Sequence, residues 1–465
     1  MSDERELLRR TADIAGDFLE TLAERPVFPT ASVEELAAAL GGPLQEQPLD
    51  PLEVVEQFAR DADPGIVATA GGRYFGYVIG SALPASVAAD WLTTIWDQCA
   101  GLGALSLSGA VVEEIVGDWL KELLALPRDA SFAITTGCQM AHVTALAAAR
   151  HDVLEATGWD VRDRGLAGSP PITVVGGTLR HVTIGRALRL LGIGNDQVVV
   201  VAADEHGRMR PDDLRGALAR IDGPTIVCAQ AGEVNAGSFD PLPEIVDIVR
   251  ETRAWLHVDG AFGMWAAASP RRRHLVAGIG DADSWATDGH KWLNVPYDCG
   301  LAFCAKPAAH RASMTMHASY FEGQGAWLRD AADWTPESSR RARAFTVYAA
   351  LRSLGRRGVA ELVDGCCERA TQFAEGIARI AGCTVLNDVV LNQVLFRFED
   401  DVTTLAVLEA VQRSGEAWMD GTTWDGRAAI RLSVSSWRTT ASDVDRTIAA
   451  FEAALVAVEP LAARD

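Results

Sequence analysis

Lysine is nearly absent from this chain, with three residues in 465 against 39 arginines. Acidic residues outnumber basic ones, giving a net charge of −21. That excludes the broad cationic surface needed to bind a phosphate backbone, and small-molecule chemistry is expected instead. The eight cysteines form no CxxC and no paired spacing with histidine, so neither a metal cage nor a disulfide framework is expected, and a reducing cytoplasm fits. Apolar runs of membrane-spanning length are missing, as are internal repeats and low-complexity tracts. The opening Met-Ser-Asp-Glu-Arg-Glu is charged and leads into an amphipathic helix, unlike a signal peptide. A soluble, unprocessed protein with no nucleic-acid or membrane partner is the expectation.

What is present is a core-forming composition, 48% apolar, in a chain long enough for one large core and a smaller second one. Residues 5–24 carry Leu8, Ala12, Ala15, Phe18, Leu19 and Leu22 at helical spacing. The stretch Pro26 to Pro64 reads as an extended arm with short helices such as Val33–Leu40. Helices follow at 84–99 and 110–126. From about residue 130 short apolar strands alternate with amphipathic helices, with strands predicted at 132–135, 172–175, 198–202, 225–229, 254–259, 284–287 and 300–305. Such alternation is the signature of an α/β fold with a mostly parallel sheet between helices. A long helical region at 345–380, strands near 394–398 and 429–435, and a final helix at 442–458 suggest a small α/β C-terminal domain. The expected division is a helical arm over 1–75, a large domain over 76–320, and a loop with the small domain over 321–465.

Ligands of open α/β sheets bind beyond the carboxyl ends of the strands, so those ends carry the chemistry. The strand Trp255-Leu-His-Val-Asp259 ends in a carboxylate, followed by the small residues Gly260 and Ala261, which would let a flat ligand approach. Another strand ends at Asp288, and Lys291 follows it. Arginine stays protonated, whereas lysine can become a neutral amine and form an imine with a carbonyl. The turn Thr135-Thr-Gly-Cys-Gln-Met140 opens a helix whose N-terminus suits phosphate. His181 begins the helix after strand 172–175, where an imidazole can lie against a ring. Blander readings stand beside these: a turn lysine for Lys291, a capping or turn aspartate for Asp259, a helix-start or core histidine for His181, and a common strand-to-helix connection for Gly137. Arg431 serves equally well as an ion-pair residue. His142, inside a helix, is read as packing, and so are the tryptophans and the Cys366-Cys367 pair.

Together these features resemble the group II amino-acid decarboxylases, pyridoxal 5′-phosphate enzymes of fold type I. The resemblance rests on His257-Val-Asp-Gly-Ala261, Thr287-Asp-Gly-His-Lys-Trp-Leu293 with Asp298-Cys-Gly300, and Gly237-Ser-Phe-Asp-Pro241. Tyr74-Phe-Gly76, Arg431-Leu-Ser-Val434 and Arg438-Thr-Thr440 add to it. It implies a fold-type-I transferase architecture with a seven-stranded sheet, a homodimer, and a lysine, Lys291, joined to the cofactor as an imine. It also implies that Asp259 holds the pyridinium nitrogen, where a carboxylate keeps the ring protonated and able to take up electrons, and that His181 stacks on the ring and assists proton transfer. The phosphate would lie at Gly137, Cys138 and Gln139, with Asp288, His290 and Ala261 also lining the cofactor. Tyr74, Phe75 and Arg431 would face the substrate.

Three departures bear on function. The loop from Glu322 to Trp334 contains no tyrosine, although familiar aromatic decarboxylases of this group carry one at the place matching Ala331 to protonate the carbanion. His181, Tyr320 or a residue of the partner subunit are alternative donors. At Glu233 a neutral residue is expected, because a carboxylate there would repel the cofactor's phenolic oxygen and a substrate carboxylate; Glu233 either points away or marks a changed substrate. Gly289 replaces the usual alanine or proline and would loosen the lysine-bearing turn. The leading expectation is a pyridoxal-phosphate-dependent carboxy-lyase of an L-amino acid. Decarboxylative aldol-type bond formation or oxidative deamination is the alternative, followed by retro-aldol or transaminase chemistry and a catalytically silent binding protein.

Overall fold

The computed structural model describes residues 3–316 and 329–462. Its packing separates two compact units. One comprises Met1–Ile79, Gln372–Val385 and Leu395–Asp465, the other Gly80–Thr371 and Leu386–Val394. This grouping differs from a linear division at 75/76 and 320/321, and the hydrogen bonds explain why. The arm joins C-terminal residues through Arg73 Nη1 to the Glu416 carbonyl, a Tyr74–Trp418 β-bridge, and Phe75 N–H to the Trp418 carbonyl. Residues up to 371 stay with the large sheet through Ser86 Oγ to the Thr346 carbonyl and Ser269 Oγ to Asp364.

Helices α1 (Glu4–Thr21), α2 (Val33–Leu40) and α3 (Pro51–Ala62) form the arm. The stretch expected to be extended therefore contains a regular helix of 12 residues. Its start was written in the sequence: Asp50 caps the Leu52 N–H and Pro51 occupies the first turn, where a missing N–H costs nothing.

In the larger unit, α4 (Pro84–Trp96) and α5 (Leu107–Leu123) precede β1 (Ser131–Thr135), α6 (Cys138–Glu155), α7 (Val161–Arg164), β2 (Thr173–Gly177) and α8 (Val182–Leu190). Next come β3 (Val198–Val201), α9 (Pro211–Leu218), β4 (Thr225–Gln230), α10 (Leu242–Arg250), β5 (Trp255–Asp259), β6 (Ser284–Asp288), β7 (Gly300–Cys304) and α11 (Pro307–Met314). The seven strands lie in the order β1-β7-β6-β5-β4-β2-β3, and only β7 runs against its neighbours. Strands β1, β4, β5 and β6 are buried along their whole length, as a sheet covered on both faces requires. This is the fold-type-I architecture. One core face gathers Leu146, Leu154, Ile184, Leu188, Ile226 and Trp255 between helices and sheet.

The long helix α12 (Ala344–Ile377) changes direction at Gly355, whose φ of 61° lies in the left-handed region. A second sheet, in the order β10-β11-β9-β8, is built from β8 (Thr384–Val385), β9 (Gln393–Arg397), β10 (Asp420–Trp424) and β11 (Arg427–Ser433), accompanied by α13 (Asp401–Ser414) and α14 (Ala441–Ala462). Among the described residues no helix is long and apolar enough to cross a membrane.

Candidate active site

The site forms where β1, β2, β5 and β6 end on the same edge of the large sheet. Asp259 is the last residue of β5 and Asp288 the last of β6, the strand beside it. Lys291 follows in a turn fastened from several sides. The Gly289 and His290 N–H groups donate to the Cys299 carbonyl, and the Cys299 N–H donates to His290 Nδ1. Asn294 Nδ2 donates to the carbonyls of Lys291 and Trp292, and Trp265 Nε1 donates to the Asp288 carbonyl. Gly80 presses on the same turn: a Cβ there would come within 1.9 Å of the Lys291 carbonyl oxygen.

Gly289 does not loosen this turn. Its φ is not in the left-handed region, and an added Cβ would meet Cys299 Sγ at 2.9 Å, so the position is glycine for want of room. Gly260 is likewise small for packing, since a Cβ there would meet Met264 Cβ at 2.7 Å.

Lys291 Nζ lies 3.2 Å from Asp288 Oδ2, and the side chain remains 22% exposed. Burial lowers the pKa of the amine, but Asp288, with Asp259 behind it, outweighs burial and holds it above the usual lysine value. Asp288 Oδ1 also accepts the Cys138 N–H at 2.6 Å and lies 3.5 Å from His290 Nε2. The carboxylate thus satisfies a donor of the α6 N-terminus, where phosphate was expected. Burial, aided by Asp288 and Asp259, pushes the Cys138 thiol well above its usual range, so it is a neutral lining group.

Gly137 caps α6 with a φ of 153°, a conformation that excludes most side chains. A Cβ here would sit 3.4 Å from His290 Cε1. Gln139 Nε2 donates to the Thr183 carbonyl, while its Oε1 is buried with no partner among the described residues. His181 caps α8. Its Nδ1 accepts from the Thr183 N–H at 3.4 Å and lies 2.7 Å from the Thr183 hydroxyl, so the neutral ring carries its proton on Nε2. Ala261 donates its N–H to Asp259 Oδ1 and receives the Asp288 N–H on its carbonyl.

Asp259 is 4% exposed. Burial alone would raise its pKa, but His142, followed by His181 and Lys291, holds the carboxyl well below the usual carboxylate range. His142 was read as packing. Its Nε2 in fact lies 3.5 Å from Asp259 Oδ2 and 3.4 Å from Cys138 Sγ. Two periodicities set the positions, though not the contact: Cys138 and His142 share a helix face at i, i+4, and His257 and Asp259 share a strand face at i, i+2. The ligand-type atoms of Cys138, His142 and Asp259 all lie within 4.8 Å of one another, although no metal-ligand spacing links them along the chain. Their hydrogen bonds account for that proximity.

Glu233 points away from the site, into its own turn. Its carboxylate accepts the N–H groups of Asn235 and Ala236 and the Asn235 amide. In the other unit, Tyr74 stacks on Trp418 at 5.1 Å and Phe75 packs edge-on against Phe373 at 4.9 Å. Arg431 pairs with Asp420 at 2.7 Å. Ala331 is buried in a short 3₁₀ turn, and Tyr320 lies outside the described residues.

The residues at the sheet edge fit a carbonyl cofactor with a cationic ring and an anionic tail. They bring together a partly accessible primary amine, a buried carboxylate kept ionised and a glycine-led helix N-terminus.

Comparison with known proteins agrees with this fit. The family model described as the pyridoxal-dependent decarboxylase conserved domain matches residues 34–399. An L-2,4-diaminobutyrate decarboxylase of Rhizobium meliloti is 31% identical over 76% of this chain and 70% of its own. An aromatic-L-amino-acid decarboxylase of Bacillus atrophaeus is 26% identical over 95% and 93%. Among solved structures, Oryza sativa TDC with PLP and tryptamine superposes with a TM-score of 0.92 at 21% identity, covering 98% of both chains. That last likeness speaks to fold. The sequence matches go further: this chain belongs to the pyridoxal-dependent decarboxylase family.

Proposed function

We propose that this pyridoxal-phosphate-dependent carboxy-lyase removes the α-carboxylate of an L-amino acid, with Lys291 as the amine that anchors the cofactor. The observation that carries the reading is the placement of Lys291 Nζ 3.2 Å from Asp288 while the neighbouring strand ends in the buried anion Asp259. Pyridoxal 5′-phosphate, when bound, supplies an aldehyde for the substrate amine and a cationic ring that accepts the electron pair left by carbon dioxide. Asp288 holds and orients the Lys291 ammonium. Asp259 keeps the ring nitrogen protonated. His181, with its proton on Nε2, is the donor proposed to protonate the product. Gly137, Cys138 and Gln139 seat the phosphate with His290, beside Ala261. Tyr74, Phe75 and Arg431 are engaged in packing and pairing within their own unit and receive no substrate role here.

A second reading is favoured by the tyrosine-free segment 322–334. A relative that is 26% identical over 93% of this chain is named 4-hydroxyphenylacetaldehyde synthase, from Rhodiola rosea. Oxidative deamination or addition to an aldehyde would replace simple protonation. Carbon dioxide, amine, aldehyde and oxygen should be followed across a panel of amino acids. Stoichiometric amine and carbon dioxide without oxygen uptake support decarboxylation; oxygen uptake with aldehyde supports the second reading, and keto acids retaining the carboxylate defeat both.

A cytoplasmic homodimer is part of the proposal. Leu92, Ile95, Trp96, Leu107 and Val111 leave an exposed apolar face on α4 and α5, which supports self-association. All eight cysteines are free, which suits a reducing compartment. Sedimentation as a monomer at micromolar concentration would count against the dimer.

A further inference from the structure

Behind Asp259 runs a line of buried polar groups that the reaction as described does not use. His142 Nδ1 lies 3.0 Å from His257 Nε2, His257 Nδ1 lies 2.9 Å from Ser284 Oγ, and Trp255 Nε1 donates to the same Oγ at 2.8 Å. His142, His257 and Ser284 are fully buried and Trp255 is 1% exposed, so bulk solvent does not reach them and each needs a partner.

The two ends fix the direction of the end bonds, and with His142 singly protonated they fix those between as well. An indole N–H can only donate, and a carboxylate can only accept. His142 Nε2 must therefore carry a proton to face Asp259 Oδ2. A neutral His142 then has a bare Nδ1, which accepts from His257 Nε2–H. That leaves His257 Nδ1 bare, and it accepts the Ser284 hydroxyl proton, while the Ser284 oxygen receives the Trp255 N–H. Each donor and each acceptor is used once. Reversing the chain would set a bare His142 lone pair against the carboxylate.

We infer that His142 is a positioning residue for Asp259, the last link of a one-way hydrogen-bond chain from Trp255 through Ser284 and His257. The chain presents an N–H to the carboxylate and so keeps the proton of the cofactor's ring nitrogen on the ring. The physical reason is basicity. A carboxylate that receives a strong hydrogen bond is a weaker base, so it leaves the shared proton with the ring. Burial, with His142 nearby, lowers the pKa of His257 to about 3, which keeps that link neutral. The other groups that act on Asp259 are His181 and Lys291, with Cys138 and Cys228 held as neutral thiols by burial.

The inference rests on the cofactor assignment, and the test separates the two. The holoenzyme carrying His142→Phe, His142→Gln or Ser284→Ala is titrated with pH while the cofactor's visible band is recorded, and kcat, KM and the cofactor dissociation constant are measured. A less cationic ring withdraws fewer electrons from the imine, so His142→Phe should raise the midpoint of the band by about one pH unit. It should also lower kcat roughly tenfold, with KM little changed. Glutamine can place an N–H where Nε2 stood and should recover most of both effects. Ser284→Ala, two links from the carboxylate, should shift the midpoint in the same direction by less. A midpoint unmoved in Ser284→Ala, or glutamine no better than phenylalanine, overturns the chain. Histidine ¹⁵N resonances of the wild-type holoenzyme give an answer independent of any variant: a His257 proton on Nε2 supports the inference, and one on Nδ1 refutes it. Absence of the visible band in the wild type would instead defeat the cofactor assignment.

Discussion

Gly300 presses against Gly137 so closely that a Cβ on Gly300 would stand 2.2 Å from the Gly137 carbonyl carbon. The start of β7, the one antiparallel strand of the large sheet, thereby braces the turn proposed to seat the phosphate. Gly300→Ala must push that turn aside, and backbone gives way less easily than a side chain. The cofactor dissociation constant should rise at least tenfold in Gly300→Ala, a loss of about 1.4 kcal/mol. Equilibrium dialysis against the cofactor measures it, and an unchanged constant would detach this turn from cofactor binding.

Replacing Lys291 by arginine separates charge from nucleophilicity. Arginine can still pair with Asp288 but has no neutral amine to offer. Lys291→Arg should remain folded, with a circular-dichroism spectrum like that of the wild type. It should show no lysine-dependent visible band on incubation with the cofactor, and turnover should fall by several orders of magnitude. Retention of that band would move the anchoring role elsewhere.

Glu233 stabilises the turn it belongs to rather than a ligand. Glutamine offers only one acceptor oxygen where the carboxylate accepts two backbone N–H groups and the Asn235 amide. Glu233→Gln should cost about 1–3 kcal/mol of stability, read as a lower Tm, with the relative rates on different amino acids preserved. A changed substrate ranking would show that Glu233 reaches the substrate after all.

Acid should destabilise the fold below neutrality, and two buried histidines dominate the slope. His257 and His310 are depressed to about 3 from 6.5, chiefly by burial. The unfolded chain therefore binds protons that the folded chain refuses. Each histidine makes stability fall by about 1.4 kcal/mol per pH unit as pH drops from 6.5 towards 3. Asp240 acts oppositely: burial raises it from 3.8 to about 6, so its contribution falls as pH rises through that window and offsets one histidine. The net expectation is a Tm that declines from pH 6.5 to 4. The decline should be shallower in His310→Gln, whose amide can still donate to the Trp334 carbonyl that His310 Nε2 now meets. A Tm independent of pH across that range would contradict the assignment.

The strand-and-helix rhythm from residue 130 onward was legible because buried strands and amphipathic helices impose different periods on the same chain. Lys291, Asp259 and Asp288 were legible for a related reason, since each stands at or just beyond the end of an apolar run. The helix over Pro51–Ala62 was obscured by prolines and acids on either side of it, although its cap was in plain view. His142 was harder. Nothing local distinguishes a histidine that packs from one that donates to a carboxylate on another element; only the register of α6 over β5 brings them together. Gly289 was read as loosening its turn because a sequence records small size without showing the neighbour that demands it.

Trp265 holds the carbonyl of Asp288, and Trp292 directly follows Lys291; both are almost completely buried. Their near-ultraviolet emission would overlap the absorption of a cofactor joined to Lys291 as proposed, so energy would pass from indole to cofactor once the site fills. The enzyme therefore carries its own optical gauge. Quenching of tryptophan fluorescence should report occupancy in real time, without a label and without a substrate.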